Sequence, residues 1–301
     1  MRWKGNRSSN NVDDLRGGSS GGGGGGMNGG LLKLLPTVYR LLGAKGSAVA
    51  VVALLGFTYL TGGDMSMLTG GQPTSQGTSK PVKQSADEKQ LTEFVSVVLA
   101  DTEDTWHMLF KQLGKTYQEP RLVLFRGSVK SACGAGKSEM GPFYCPGDNK
   151  VYIDLSFYQD LKNRHQAPGD FAQAYVIAHE VGHHVQTLLG ISQKVSKAKR
   201  GVSEEEGNQL SVRQELQADC FSGVWAHHAN KMRNLLESGD VDEGLTAASA
   251  IGDDRLQKQA RGYVTPESFT HGSSEQRVRW FKTGLKEGSI QSCDTFKTAS
   301  L

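Results

Sequence analysis

The chain has 301 residues, 38 of them glycine, with 34 basic and 31 acidic residues and a formal net charge of +3. That much glycine, against about 7% in an average protein, excludes a single uniformly compact globule. So balanced a charge gives no support to nucleic-acid binding, and four cysteines are too few for a small disulfide scaffold.

Ten of the glycines fall in Gly17–Gly30. Residues 1–45 carry Arg2, Lys4, Arg7, Arg16, Lys33, Arg40 and Lys45 against only Asp13 and Asp14. A Gly/Ser tract cannot bury enough apolar surface to order itself, so residues 1–45 read as a flexible basic segment. Residues 46–62 are uncharged, and 17 residues is the short end of a membrane-spanning helix. Leu31–Leu42 is an amphipathic lead-in suited to the membrane interface. The competing readings of 46–62 are a cleaved signal peptide, which the long preceding segment disfavours, and a buried core helix. The excess of positive charge before the span predicts a cytoplasmic N-terminus, a single pass through the inner membrane and an extracytoplasmic (periplasmic) domain. Residues 63–84 read as a linker and 85–301 as the domain.

Ser85–Glu88 is a capping box that opens a helix, and Leu91, Phe94, Val95, Val98, Leu99, Trp106, Leu109 and Phe110 form its apolar stripe. Residues 121–126 (RLVLFR) and 151–157 (VYIDLSF) read as strands. Helices follow over roughly 170–189, 204–234, 241–261 and 274–286. The pattern is that of an α+β domain, mostly helical with a small sheet.

The informative helix is 171–189, FAQAYVIAHEVGHHVQTLL, with Asp170 as its candidate cap. It contains His179-Glu180-Val181-Gly182-His183. Positions four apart on a helix point the same way, so both histidines can reach one zinc ion. Glu180, one residue round, misses the metal and is placed to act as a general base on water. The competing reading is two ordinary histidines on an amphipathic helix. A catalytic zinc needs a third protein ligand. Ser203–Glu206 opens another helix, which carries Glu215 and Asp219 four apart amid apolar neighbours. Glu215 is the candidate third ligand, and Asp219 is a candidate partner for the spare ring N–H of a ligand histidine. Asp219 itself, His184, His227 and His228 are the rivals for the third position.

HEVGHH joined to ELQADCFSG resembles the bacterial neutral zinc metallopeptidases, a family of membrane-anchored proteins. The opening MRWKGNRSSNNVDDLRG, CGAGKSEMGPFYCPGDNKVYIDLSFY (133–158) and THGSSEQRVRWF (270–281) are similar to the same family. The resemblance implies a zincin-like domain with His179, His183 and Glu215 as zinc ligands and Glu180 as base, and its Glu-x-x-x-Asp helix resembles the gluzincin arrangement.

Val151–Leu155 is a candidate edge strand for holding a peptide by β-augmentation. His271 and Arg277 are candidate oxyanion stabilisers, the alternative being a helix cap at Ser273 or Ser274 with a surface arginine. In an oxidising compartment Cys133 and Cys145 read as a disulfide stapling a loop, and Cys220 and Cys293 are a second candidate pair, although four cysteines allow three connectivities. The expected function is a membrane-anchored zinc peptidase acting on a peptide or protein. The alternative is a non-catalytic, metal-stabilised scaffold of the cell envelope, in which Glu180 has no task.

Overall fold

The computed structural model describes residues 1–17 and 84–301. The expected span at 46–62, the glycine tract beyond Gly17 and the linker up to residue 83 lie outside the described residues. The described residues form one mostly helical α+β unit.

Helix α1 (Ala86–Gln112) starts at the expected capping box, in which Ser85 and Glu88 each accept the other's backbone N–H. Its stripe from Phe94 to Phe110 is buried. Strands β2 (Arg121–Phe125) and β6 (Lys150–Asp154) pair in parallel, and β5 (Phe143–Cys145) adds antiparallel to β6. Side chains alternate across the sheet. Leu122, Leu124, Val151 and Ile153 therefore enter the main core under the helices, while Val123, Phe125 and Tyr152 form a smaller cluster with Val129 and Cys145. Val129 belongs to a separate hairpin of β3 (Ser128–Ser131) and β4 (Gly134–Lys137). With β1 (Val12–Asp14) the sheet order is β1-β2-β6-β5. Strand β6 is thus interior, and the edge role expected of Val151–Leu155 passes to β5.

The remaining helices are α2 (Phe157–Asn163), α3 (Asp170–Leu188), α4 (Ile191–Lys199), α5 (Glu204–Arg233), α6 (Asp240–Ala250), α7 (Asp253–Arg261) and α8 (Ser274–Glu287). The single helix expected over 241–261 is two, divided at Ile251 and Gly252. There the Asp253 carboxylate turns to accept the backbone N–H groups of Thr270, His271 and Gly272. Two glycines set the spacing of the core helices. A Cβ on Gly284 of α8 would stand 1.9 Å from the Cys220 carbonyl oxygen of α5, and one on Gly182 of α3 would stand 3.0 Å from that of Ala218. Backbones approach this closely only where one partner has no side chain. Disulfides join Cys133 to Cys145 and Cys220 to Cys293, and no cysteine among the described residues is free.

The expectation of a flexible N-terminal segment fails for residues 1–17. Val12–Asp14 form β1, parallel to β2 in the register Val12 to Leu122. Met1 and Trp3 lie in the main core, Trp3 edge-on to Phe94 with ring centroids 5.3 Å apart. Ser9 exchanges two hydrogen bonds with Ser96, and buried Arg16 binds Asp14 and Thr92. Composition argued for disorder because it counts local apolar content, whereas these residues are ordered by long-range contacts that the remainder of the domain supplies. Gln84 donates to Asp14 at 3.2 Å, so residues 14 and 84 are neighbours. Residues 1–17 and 84–301 therefore belong to one folded unit. A hydrocarbon layer about 30 Å thick cannot separate two hydrogen-bonded strands.

Burial of Trp3 at 6% exposure makes the N-terminus part of the folding unit. Trp3→Ala is expected to lower the unfolding free energy by about 3–5 kcal/mol. Urea denaturation measures it, and an unchanged midpoint would remove residues 1–17 from the core.

Candidate metal centre

Helix α3 buries Phe171, Ala174, Ala178, Val181 and Val185. Asp170 is its first residue rather than its cap. The cap position is Gly169 (φ 116°), and the exposed N–H of Phe171 is met instead by the Glu243 carboxylate of α6 at 3.0 Å. This anchoring leaves the opposite side of α3 facing α5 and a cleft. His179 and His183 stand one turn apart with ring centroids 4.8 Å apart.

Glu215 reaches them from α5. Its Oε2 lies 3.2 Å from His179 Nε2, and its Oε1 lies 3.4 Å from His183 Nε2. The three donor atoms lie within 4.8 Å of one another. Two donors each about 2.0–2.1 Å from a tetrahedral zinc are about 3.3 Å apart. Two imidazoles and a carboxylate suit zinc in kind as well as in spacing. A second acidic group, Asp170, Asp240 and Glu243, is near the Met1 amine, which donates to Asp170 at 2.8 Å. Burial would lower the pKa of that amine, but hydrogen bonds to Asp170 and Glu237 outweigh it and raise the pKa to about 10.

The rivals for the third position are engaged elsewhere. His184 is held between the Gln118 carbonyl (2.6 Å) and the Tyr144 hydroxyl (3.0 Å), and burial keeps its pKa low. His227 and His228 bond to the carbonyls of Leu285 and Gly288 at the end of α8. Asp219 is wholly buried, with its Oδ1 2.8 Å from His179 Nδ1 on the side away from Glu215. Burial would raise its pKa, but Arg277 and His179 overcome that and lower it.

Arg277 differs from expectation. It is 2% exposed, and it grips Asp219 with Nε to Oδ2 and Nη2 to Oδ1, both at 2.9 Å. Two further N–H groups reach the Tyr175 hydroxyl and the Ile251 carbonyl, both at 3.2 Å. It is thus a buried residue that also lines the cleft, not a surface arginine. The Ser273 capping box with Gln276 starts α8 one turn before Arg277, and the Gly284 contact presses that helix onto α5. His271 does line the cleft, half exposed, with Nδ1 3.2 Å from Asp253. The hydrogen bond to Asp253 raises its pKa against the lowering effect of burial.

Glu180 also lines the cleft and is 8% exposed. Among the described residues its carboxylate makes no side-chain hydrogen bond, and burial raises its pKa. The cleft holds about 480 Å³ and is walled by Met140, Phe143, Tyr144, Phe157, Val176, Ile251 and Leu256, a size suited to a few residues of peptide.

Tyr175 and Gln186 complete the surroundings and were not singled out from sequence. Tyr175 donates to Asp219, and Gln186 accepts from His183 Nδ1 at 2.9 Å. Their positions, four before His179 and three after His183, place each over a ligand histidine. A polar Gln186 amid Val185 and Leu188 was the available signal.

The comparisons agree with this geometry. Residues 1–296 match the family described as "Putative neutral zinc metallopeptidase". The chain is 51% identical over 296 residues to the uncharacterized protein YpfJ of Escherichia coli K12, covering 98% of this chain and 99% of the relative. It is 41% identical over 218 residues to the uncharacterized protein Rv2575 of Mycobacterium tuberculosis H37Rv, covering 69% and 73% of the two chains. No solved structure matches significantly. The chain belongs to the neutral zinc metallopeptidase family.

Proposed function

We propose that this protein is a zinc-dependent peptidase acting in an oxidising compartment outside the cytoplasm. One observation carries the reading. Three donors of zinc-compatible type converge beside a carboxylate, Glu180, that lines the cleft and has no side-chain hydrogen-bond partner among the described residues. His179, His183 and Glu215 would hold the zinc, which supplies Lewis acidity at the scissile carbonyl. Glu180 takes a proton from the attacking water and passes it to the leaving amine. Its raised pKa makes the carboxylate a stronger base, which favours the first half of that exchange. His271, whose pKa the Asp253 hydrogen bond raises, would in its cationic form face the negative charge that develops on the carbonyl oxygen. The outer edge of β5 offers backbone groups to an extended peptide. Two disulfides support an oxidising compartment. The apolar stretch 46–62 is the segment proposed to contact the membrane.

Glu180→Gln tests the mechanism. It should leave zinc content unchanged and lower peptide hydrolysis by about 10²–10⁴-fold. Zinc analysis and turnover of a peptide library by the full chain decide it. Full zinc occupancy with no cleavage by the wild type would favour a metal-stabilised scaffold.

The Asp253–His271 pair sets a pH dependence. The folded pKa of His271 is raised, so its cationic form persists above the ordinary value of about 6.5 and is lost as pH rises through the raised value. Activity should fall along that alkaline limb, and the pair's contribution to stability should fade over the same window. His271→Gln should remove the limb; a limb retained in that variant rules His271 out.

Sidedness is checked with epitope tags inserted at Gly21–Gly26 and after Leu301. Both should be accessible in vesicles of the same orientation. Opposite accessibility would mean that β1 does not pair with β2 in the cell.

A further inference from the structure

Each ligand histidine has a second ring nitrogen, and what that nitrogen touches decides which tautomer faces the metal. For His179 the partner is a charged group, Asp219. For His183 it is neutral, and its polarity is not obvious, because a glutamine amide can present either its oxygen or its nitrogen.

The surroundings of Gln186 remove that ambiguity. Its side chain is buried at 0% exposure, and one end lies 2.7 Å from the Gln214 backbone carbonyl and 3.1 Å from the Gln217 side chain. A carbonyl oxygen can only accept, so the end near Gln214 must be the NH₂ group. The Gln217 amide is set the same way, because its NH₂ donates to the Cys293 carbonyl at 2.9 Å and turns its oxygen to Gln186. Two acceptor-only backbone groups on different segments thus impose one direction on the whole chain of hydrogen bonds. Gln186 Oε1 is left to face His183 Nδ1 at 2.9 Å. His183 must then carry its proton on Nδ1 and turn the lone pair of Nε2 toward Glu215 and His179.

We infer that Gln186 is a positioning residue that fixes the metal-binding tautomer of His183, and that Gln217 of α5, itself held by the Cys293 carbonyl of the stapled C-terminal segment, supports it. The inference rests on the zinc reading above. The arrangement orients a ligand without adding charge. A carboxylate at position 186 would face two further acceptors in a buried site, which is why an amide fits there. Gln217 is secondary, because the Gln214 carbonyl alone still orients Gln186.

Zinc affinity of the full chain, measured by competition with a chromogenic chelator, is the test. Gln186→Met keeps the volume and removes the acceptor. It should raise the zinc dissociation constant about 10–100-fold. Gln217→Met should raise it by less. Gln214→Ala, which retains the backbone carbonyl, should leave it unchanged. A second readout separates positioning from packing. The rise in melting temperature on adding zinc should shrink in Gln186→Met, whereas a packing defect would lower the zinc-free and zinc-loaded midpoints equally. If Gln186→Met fails to fold, the graded order of Gln217→Met and Gln214→Ala carries the test. A wild type that binds zinc while Gln186→Met and Gln217→Met bind it equally well overturns the inference alone. A wild type that binds no zinc overturns the metal reading and this inference together.

Discussion

The structure turns on one buried charge. Asp219 has no exposed surface, and a carboxylate taken out of water is tolerated only when its lone pairs are met. Arg277 donates to both oxygens, and Tyr175 and His179 to Oδ1. Asp219 stands on α5 and its partners come from α3 and α8, so the ion pair is also the point at which three helices are locked in register. Removing one partner of such a pair commonly costs about 3–5 kcal/mol. The close contacts at Gly182 and Gly284 follow from the same demand, because only helices this close can share a carboxylate. The metal-site geometry is set by this locking: His179 is oriented by the group that holds α8 in place.

Much of this was legible in the sequence, and the omissions have physical causes. The three capping boxes begin helices where side-chain spacing says they should, because that motif is decided within one turn. His179, His183 and Glu215 converge because each pair of elements offers few ways to bury its apolar face. Arg277 was misread because an arginine on a polar-looking helix gives no local sign that its partner lies 58 residues away. Strand β1 was missed for the same reason. Val12-Asp13-Asp14 has no alternation, and its order depends on Leu122 to Leu124 and on Glu103 of α1. Which strand formed the sheet edge was likewise a question of topology, and β5, only three residues long, carried too little pattern to compete with VYIDL.

The N-terminal strand alters more than the fold. Charge bias and an apolar stretch are statements about insertion, and they treat residues on either side as independent. Parallel pairing of β1 with β2 makes them dependent. Residues 1–17 and 84–301 are thereby two parts of one folded unit, although a long stretch of sequence separates them.

The strand beside the cleft is held by more than its backbone pairing. A three-residue strand with one neighbour has too few backbone hydrogen bonds to stay rigid alone. Each of its residues is fixed by a different force. Phe143 stacks on Tyr152 with ring centroids 4.8 Å apart. Tyr144 bonds to His184, the helix neighbour of a ligand histidine. Cys145 is tied to Cys133. The residues closed off by that disulfide, from 134 to 144, include Met140, Phe143 and Tyr144 of the cleft wall. Opening the bond would free one end of this wall, while Asp219 and Gln186 would still hold the ligand histidines. The candidate ligand histidines and the cleft wall thus have separate supports: buried hydrogen bonds for the first, and a covalent staple for the second.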